Sequence, residues 1–287
     1  MMSTQENNTK SHITFIGGGN MGRALISGLL ANGFEANQLS VVEANASTGI
    51  QLHADFGVQV IGALEQIAFD FSKNNVVVMA IKPQDFNVVA KTLSSKLKHV
   101  TAPGPLILSI AAGIRIQDMS RWLDHERCVR AMPNTPAFIG KGITGLFADA
   151  AVNQSDRTLA ETICNAVGQT VWVNEEKLMD AVTAVSGSGP AYVFAFLEAM
   201  QASGEKLGLD AATARKLAYA TLEGATQLAN NSDDHAGVLR ERVTSKGGTT
   251  AAALDILKQL DWHGALEKAI DAANKRGKTM GDELGQS

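Results

Sequence analysis

Two glycine-rich turns carry backbone suited to holding anions. The first is Gly17-Gly18-Gly19-Asn20-Met21-Gly22, which satisfies the spacing G-x-G-x-x-G. It stands between a β-rich run, His12 to Ile16, and a segment with Met21, Leu25, Ile26, Leu29 and Leu30 at helical spacing. Strand, turn and helix in that order is the setting in which this spacing means a dinucleotide site. Gly17 permits the tight turn, Gly19 lets a pyrophosphate approach the backbone, and Gly22 lets the helix pack on the strand. The free N–H groups of the helix start, where Asn20 and Met21 lie, then attract phosphate. The second turn is Ser245-Lys246-Gly247-Gly248-Thr249-Thr250, which feeds straight into Ala251-Ala252-Ala253-Leu254. Exposed N–H groups, a helix N-terminus and threonine hydroxyls suit a small carboxylate. The same residues also read as an ordinary helix start capped by Thr249 or Thr250.

Other candidate residues fall at expected strand ends. Glu43 closes the second strand, 21 residues after Gly22. A carboxylate there accepts hydrogen bonds from an adenine-ribose diol and repels a 2′-phosphate, which favours NAD. Asn45, Ser47 and Thr48 follow and could donate to a phosphate, so the cofactor stays open between NADH and NADPH; a solvated strand end is the third reading of Glu43. Ala80-Ile81-Lys82-Pro83, Ala111-Ala112-Gly113 and Met132-Pro133-Asn134-Thr135-Pro136 each follow a buried strand. In a doubly wound sheet such loops converge on one ligand crevice. Lys82 could face the cofactor there or be a surface lysine. Ser186-Gly187-Ser188-Gly189 brushes against a nucleophile elbow, but Ala184 stands where that motif needs glycine.

The elements that must position these residues change character along the chain. Strands are expected at His12–Ile16, Leu39–Glu43, Val58–Ile61, Asn75–Ile81, Leu106–Ile110, Arg127–Met132, Ile143–Phe147 and Val171–Val173. Helices alternate with them at Asn20–Ala31, Ala46–Asp55, Pro83–Leu97 and Ser155–Val167. The run Val76-Val77-Val78-Met79-Ala80 suits a strand buried on both faces of a parallel sheet. This is the pattern of a Rossmann-like, doubly wound α/β sheet. After Asn174 only helical segments follow: Glu175–Val185, Pro190–Leu207, Ala211–Ala229, Ala236–Val243, Thr249–Leu260 and His263–Glu283. The expected organisation is a disordered tail at 1–11, a dinucleotide-binding domain at 12–174 and an all-helical domain at 175–287.

Composition excludes several classes. The 287 residues carry 25 Lys+Arg against 29 Asp+Glu, a net charge of −4, which gives no global attraction for nucleic acid. A hydrophobic fraction of 45% is enough for a core. No apolar stretch is long enough for a transmembrane helix, and the polar start has no signal-peptide h-region. Cys128 and Cys164 read as reduced core thiols of a cytoplasmic protein, and the six histidines show no metal-ligand spacing. No metal, nucleic acid or membrane partner is expected.

Taken together, Gly17–Gly22, Ala80–Pro83, Ala111–Gly113, Met132–Pro136, Ser186–Tyr192 and Ser245–Thr250 occur in the order and rough spacing of pyrroline-5-carboxylate reductase, and nearly the whole chain resembles that family. Lys246 stands where many members carry proline, with only a small effect expected on loop stiffness. The resemblance implies the last step of proline biosynthesis: hydride transfer from NAD(P)H, with NADPH favoured, to the C=N bond of 1-pyrroline-5-carboxylate, giving L-proline. It implies a substrate carboxylate held at Gly247, Gly248 and Thr249, and a Thr250 hydroxyl reaching the imine nitrogen as the catalytic contact. Ser186 and Gly187 join the substrate site on the same ground. A threonine hydroxyl is too weak an acid to protonate the nitrogen outright, so substrate enters protonated or water completes the transfer. The resemblance further implies a homodimer through the helical domain, with larger rings of dimers also known.

Two other readings compete. A 3-hydroxyacid dehydrogenase of the 6-phosphogluconate-like group shares the layout, but needs a helix lysine as base; Pro190–Glu198 contains none. A dinucleotide sensor without turnover has no use for a second small-anion turn.

Overall fold

The computed structural model describes residues 11–68, 74–98 and 103–286. Most of the expected tail therefore lies outside the described residues; its last residue, Ser11, already belongs to the first strand. Eight strands form one sheet: β1 (Ser11–Ile16), β2 (Leu39–Val42), β3 (Gln59–Ile61), β4 (Asn74–Met79), β5 (Leu106–Ser109), β6 (Cys128–Met132), β7 (Gly142–Ala148) and β8 (Gly168–Trp172). Their order is β3-β2-β1-β4-β5-β6-β7-β8. The first six are parallel. This is the 3-2-1-4-5-6 order of a dinucleotide-binding sheet. β7 then pairs antiparallel with β6, and β8 runs parallel to β7. The strict alternation of strand and helix fails at this point. Only a short 3-10 turn, Thr135–Ile139, joins β6 to β7, and it is too short for a parallel crossover.

Side chains alternate along the central strands and feed two separate cores. Val76 and Val78 join Ile13, Phe15, Leu106 and Leu108 on one face. There they meet Leu25, Ile26 and Leu29 of α1 (Asn20–Ala31), Leu52 of α2 (Ala46–Phe56), and Ile163 and Cys164 of α5 (Gln154–Asn165). Val77, Met79 and Ile107 join the other face with Phe86 and Leu93 of α3 (Phe86–Leu97) and Met119 and Leu123 of α4 (Ile116–Leu123). Residues 76–79 are fully buried, as a strand covered on both faces must be. The expected helix from Pro83 begins as a 3-10 turn, Pro83–Asp85, before α3. α4 has no counterpart in the sequence reading: it is two turns long, polar on one side, and begins on Arg115, a poor capping residue.

Six helical elements follow the sheet. They are α6 (Leu178–Val182), α7 (Gly189–Lys206), α8 (Ala211–Asn230), α9 (Ala236–Arg242), α10 (Thr249–Gln259) and α11 (Trp262–Gly285). The expected helix at Glu175–Val185 is shorter; its second half is a π-turn, Thr183–Gly187. Two compact units result. One runs up to Gly187 and includes the chain from Ala273 on, and the other is Ser188–Ala272. The expected division at 174 stands thirteen residues before this one (187 − 174). α6 is held to the sheet by ions: Arg130 on β6, 4% exposed, pairs with Glu176 at 3.2 Å and Asp180 at 3.3 Å. In the second unit α8 starts on Asp210, whose carboxylate is held below its ordinary pKa by hydrogen bonds from the Thr213 side chain and from the Thr213 N–H. No helix among the described residues is long and apolar enough to cross a membrane.

Candidate active site

The carboxyl ends of β1, β4, β5 and β6 lie side by side, so the Gly17–Gly22, Ala80–Pro83, Ala111–Gly113 and Met132–Pro136 segments share one edge of the sheet. Their backbones interlock. The Ala80 N–H donates to Ile16 O and the Gly17 N–H to Val42 O, both at 2.9 Å. Gly17 has φ +97°, and a Cβ there would stand 2.6 Å from Ala80 O and 3.0 Å from Ile81 Cγ2. Only glycine satisfies both the left-handed backbone and the close approach. Gly22 likewise sits where a Cβ would be 2.8 Å from Gly17 O.

Gly19 differs from its neighbours: nothing lies within 4 Å of its Cβ position. It is the N-cap of α1, with no side-chain cap and no acidic residue in the first turn. The first N–H groups of a helix have no intrahelical partners. An open cradle, bare N–H groups and the positive helix end fit a pyrophosphate. The residues present therefore fit a dinucleotide.

Glu43 is half-buried, and its carboxylate is engaged by two backbone groups. Its Oε2 accepts from the Gly18 N–H at 3.0 Å and its Oε1 from the Asn45 N–H at 2.8 Å. One carboxylate thus ties the phosphate turn to the start of α2. Asn45 caps α2: its Oδ1 accepts from the Thr48 N–H at 3.0 Å and from the Ser47 hydroxyl at 2.7 Å. Lys82 is exposed at the head of the Pro83 turn.

Asn134, expected to touch cofactor, has its side chain committed to the protein. Its Oδ1 accepts from the Ile143 N–H at 3.0 Å, and its Nδ2 donates to both Ser186 O and Ser186 Oγ at 3.3 Å. It braces the β6–β7 loop against the π-turn that carries Ser186 and Gly187. Gly187 packs there on Met132, whose Cε would lie 2.6 Å from a Cβ. The sequence reading passed over Arg130, Glu176 and Asp180, the ion set beneath this turn. The available signal was an arginine inside the otherwise apolar strand Cys128-Val129-Arg130-Ala131-Met132, since buried charge needs partners.

The second turn lies in the helical unit. Gly247 has φ +75°, and the Gly248 N–H donates to Ser245 O at 3.0 Å. α10 starts on Gly248 as N-cap, with no side-chain cap. Neither Thr249 nor Thr250 caps the helix, contrary to one of the two readings above. The left-handed Gly247 turns the chain one residue early, so both threonines fall inside the first turn. Thr249 is exposed and Thr250 half-buried. Bare N–H groups and two hydroxyls therefore stand together.

Cys128 and Cys164 are buried in different cores, and burial pushes both thiols up to about 12. Neither supplies a thiolate nucleophile near neutral pH. Among the described residues no group of three or more His, Cys, Asp and Glu could hold a metal ion.

Residues 176–280 match the family model described as pyrroline-5-carboxylate reductase dimerisation, and residues 12–113 match NADP oxidoreductase coenzyme F420-dependent. The chain is 40% identical to pyrroline-5-carboxylate reductase of Pseudomonas aeruginosa, covering 96% of this chain and 98% of that one. Identity to the Haemophilus influenzae enzyme of the same name is 41%, over 93% and 97%. Among solved structures, a pyrroline-5-carboxylate reductase from Coxiella burnetii superposes with a TM-score of 0.87 at 38% identity, covering 94% and 98%. The Plasmodium falciparum pyrroline carboxylate reductase with NADP bound gives 0.80 at 28%, also over 94% and 98%.

Proposed function

The chain belongs to the pyrroline-5-carboxylate reductase family, and on that premise we propose how its two turns divide the work. The enzyme reduces 1-pyrroline-5-carboxylate to proline with NAD(P)H, the last step of proline biosynthesis. The Rossmann-like unit binds NADP(H). Gly17, Gly18, Gly19, Asn20, Met21 and Gly22 hold the pyrophosphate, and the Ala80–Pro83 and Ala111–Gly113 loops flank the nicotinamide half. Glu43 fixes the shape of the glycine-rich turn, and Asn45, Ser47 and Thr48 would be the groups to meet a 2′-phosphate. Bound NAD(P)H supplies the hydride.

The turn Gly247-Gly248-Thr249 receives the substrate carboxylate, with the Gly248 N–H spent on Ser245 O and the first N–H groups of α10 left to donate. Thr250 donates a hydrogen bond to the imine nitrogen as electron density gathers there. Its hydroxyl is too weak an acid to surrender the proton, so the substrate enters as the iminium or water completes the transfer. The gain comes from positioning and from a donor aimed at developing charge. One observation carries this reading: α10 begins on a glycine with no side-chain cap, which leaves its N–H groups for a ligand. Asn134 holds the π-turn that carries Ser186 and Gly187.

The helical segment forms the homodimer contact, in line with the dimerisation model that residues 176–280 match. Buried reduced thiols suit a cytoplasmic setting. The domain limits we propose are 12–174 for cofactor binding and 175–287 for assembly and substrate. Calorimetry on Gly248→Val tests the two-turn division. We expect substrate or proline binding to be lost and NADPH binding to be kept; equal loss of both would overturn it.

A further inference from the structure

The loop Ala111–Gly113 has no polar side chain with which to fix itself. Within it, the Ala111 N–H donates to the Ser109 hydroxyl at 3.2 Å. The helix it leads into, α4, has no side-chain cap of its own at Arg115; the Ile116 N–H is taken instead by Glu176 Oε1 at 2.7 Å. The remaining support comes from the far end of the chain. A Cβ on Gly113 would lie 3.2 Å from Leu284 Cδ1 and 3.6 Å from both Met280 Cβ and Gly281 N. Leu284 packs on the apolar cluster that contains Ile114 and Ile116. Arg115 donates to Asp282 Oδ1 at 2.7 Å and to Lys278 O at 3.2 Å. Arg121 donates to Gly285 O at 2.6 Å.

Bare positions on α11 make this contact possible. Gly277, Gly281 and Gly285 recur every four residues, so they share one helix face. A Cβ on Gly281 would stand 2.9 Å from the Arg115 guanidinium, and one on Gly285 would stand 2.7 Å from the Asp118 carboxylate. Residues 281–285 also fall beyond the segment, 176–280, that the dimerisation model matches.

We propose that Arg115 and the last turn of α11, Gly281–Gly285, form a latch that positions the Ala111–Gly113 loop for the dinucleotide. Arg115, Asp282 and Leu284 are positioning residues: they touch the loop or its flank, not the ligand. The half-exposed ion pair alone contributes little. The latch acts as a set: one ion pair and two carbonyl bonds from Arg115 and Arg121 hold the flank of the loop, and one apolar contact meets Gly113 itself. It rests on the reading that this loop lines the cofactor crevice.

The test is the NADPH dissociation constant of the dimeric enzyme, by fluorescence titration without substrate. Arg115→Ala and Asp282→Ala are each expected to weaken binding by about three- to ten-fold. A chain ending at Met280 weakens it further. The reversed pair, Arg115→Asp with Asp282→Arg, recovers only the ion pair's share of the loss, since the bond to Lys278 O is not remade, and kcat at saturating NADPH and KM for pyrroline-5-carboxylate stay near the parent's. Asp282→Asn serves if the alanine variants misfold. A lowered Tm with an unchanged dissociation constant in the single variants and the shortened chain overturns the latch, leaving a structural contact only. Ala112→Asp separates the two readings: if it does not weaken NADPH binding, the loop lies outside the crevice; if it does while the latch variants do not, the latch alone fails.

Discussion

In the α/β unit Val76, Val77, Val78 and Met79 are wholly buried, whereas in the helical unit, Ser188–Ala272, only Leu197, Ala214 and Ala218 are buried among the apolar residues. The sheet shields itself: each strand face meets its own layer of helices. The helical unit instead leaves Phe194, Leu217, Leu228, Ile256 and Leu260 more than half exposed. All five lie within residues 176–280, the segment that matches the dimerisation model. The two regions also hold their anion turns differently. The phosphate turn is locked by Ala80, Glu43 and Val42, while the Gly247 turn stands on an exposed segment with one internal backbone bond. A rigid turn suits a cofactor common to many enzymes.

Changes confined to one region should leave the other's property intact. Thr250→Ala gives the largest effect: kcat falls by about 10²–10³, as for loss of one donor to developing charge. NADPH affinity, measured by titration, stays the same. Phe194→Glu comes next. A charge on this exposed apolar face weakens self-association at least about ten-fold. Sedimentation velocity should show monomer, and hydrogen exchange should speed up in α7 and α8 while the sheet stays protected.

Asp156→Ala is the mirror experiment. Asp156 is nearly buried and makes a two-pronged ion pair with Arg127. Its loss costs about 3 kcal/mol in chemical denaturation of the α/β unit, because Arg127 is left without its partner. The assembly state does not change.

The smallest effect is a pH slope. Burial holds the His125 pKa below its ordinary 6.5, outweighing the hydrogen bond to Pro105 O. The unfolded chain therefore takes up the proton first. The stability His125 contributes is complete above about pH 6.5 and is lost as pH falls through that value toward the lowered one. Tm measured from pH 7.5 to 5.5 should fall less steeply in His125→Gln. An equal slope would remove His125 from the acid response.

Much of the fold is legible in local patterns. The apolar run at Val76–Met79, the Asn20–Ala31 helix and the helices after Gly189 all carry a periodicity of 2 or 3.6 that needs no partner to be read. Short elements lack that signal. α4 is eight residues long, and the π-turn at Thr183–Gly187 depends on Asn134, about fifty positions away. Of the site, the glycines are legible because the backbone conformation they permit is local. The roles of Glu43 and Asn134 are not, because a polar side chain's role depends on which N–H groups the fold brings to it.

The sequence alone determined most of the elements, the place of both glycine-rich turns and the family, since all three are written in residue types at fixed spacing. Only the tertiary structure decided that β7 turns antiparallel, that Glu43 ties two backbone segments together, that Gly248 rather than a threonine starts α10, and that the end of the chain grips the loop after β5. Each of these depends on groups far apart in sequence meeting in space, and spacing along a chain carries no record of such meetings.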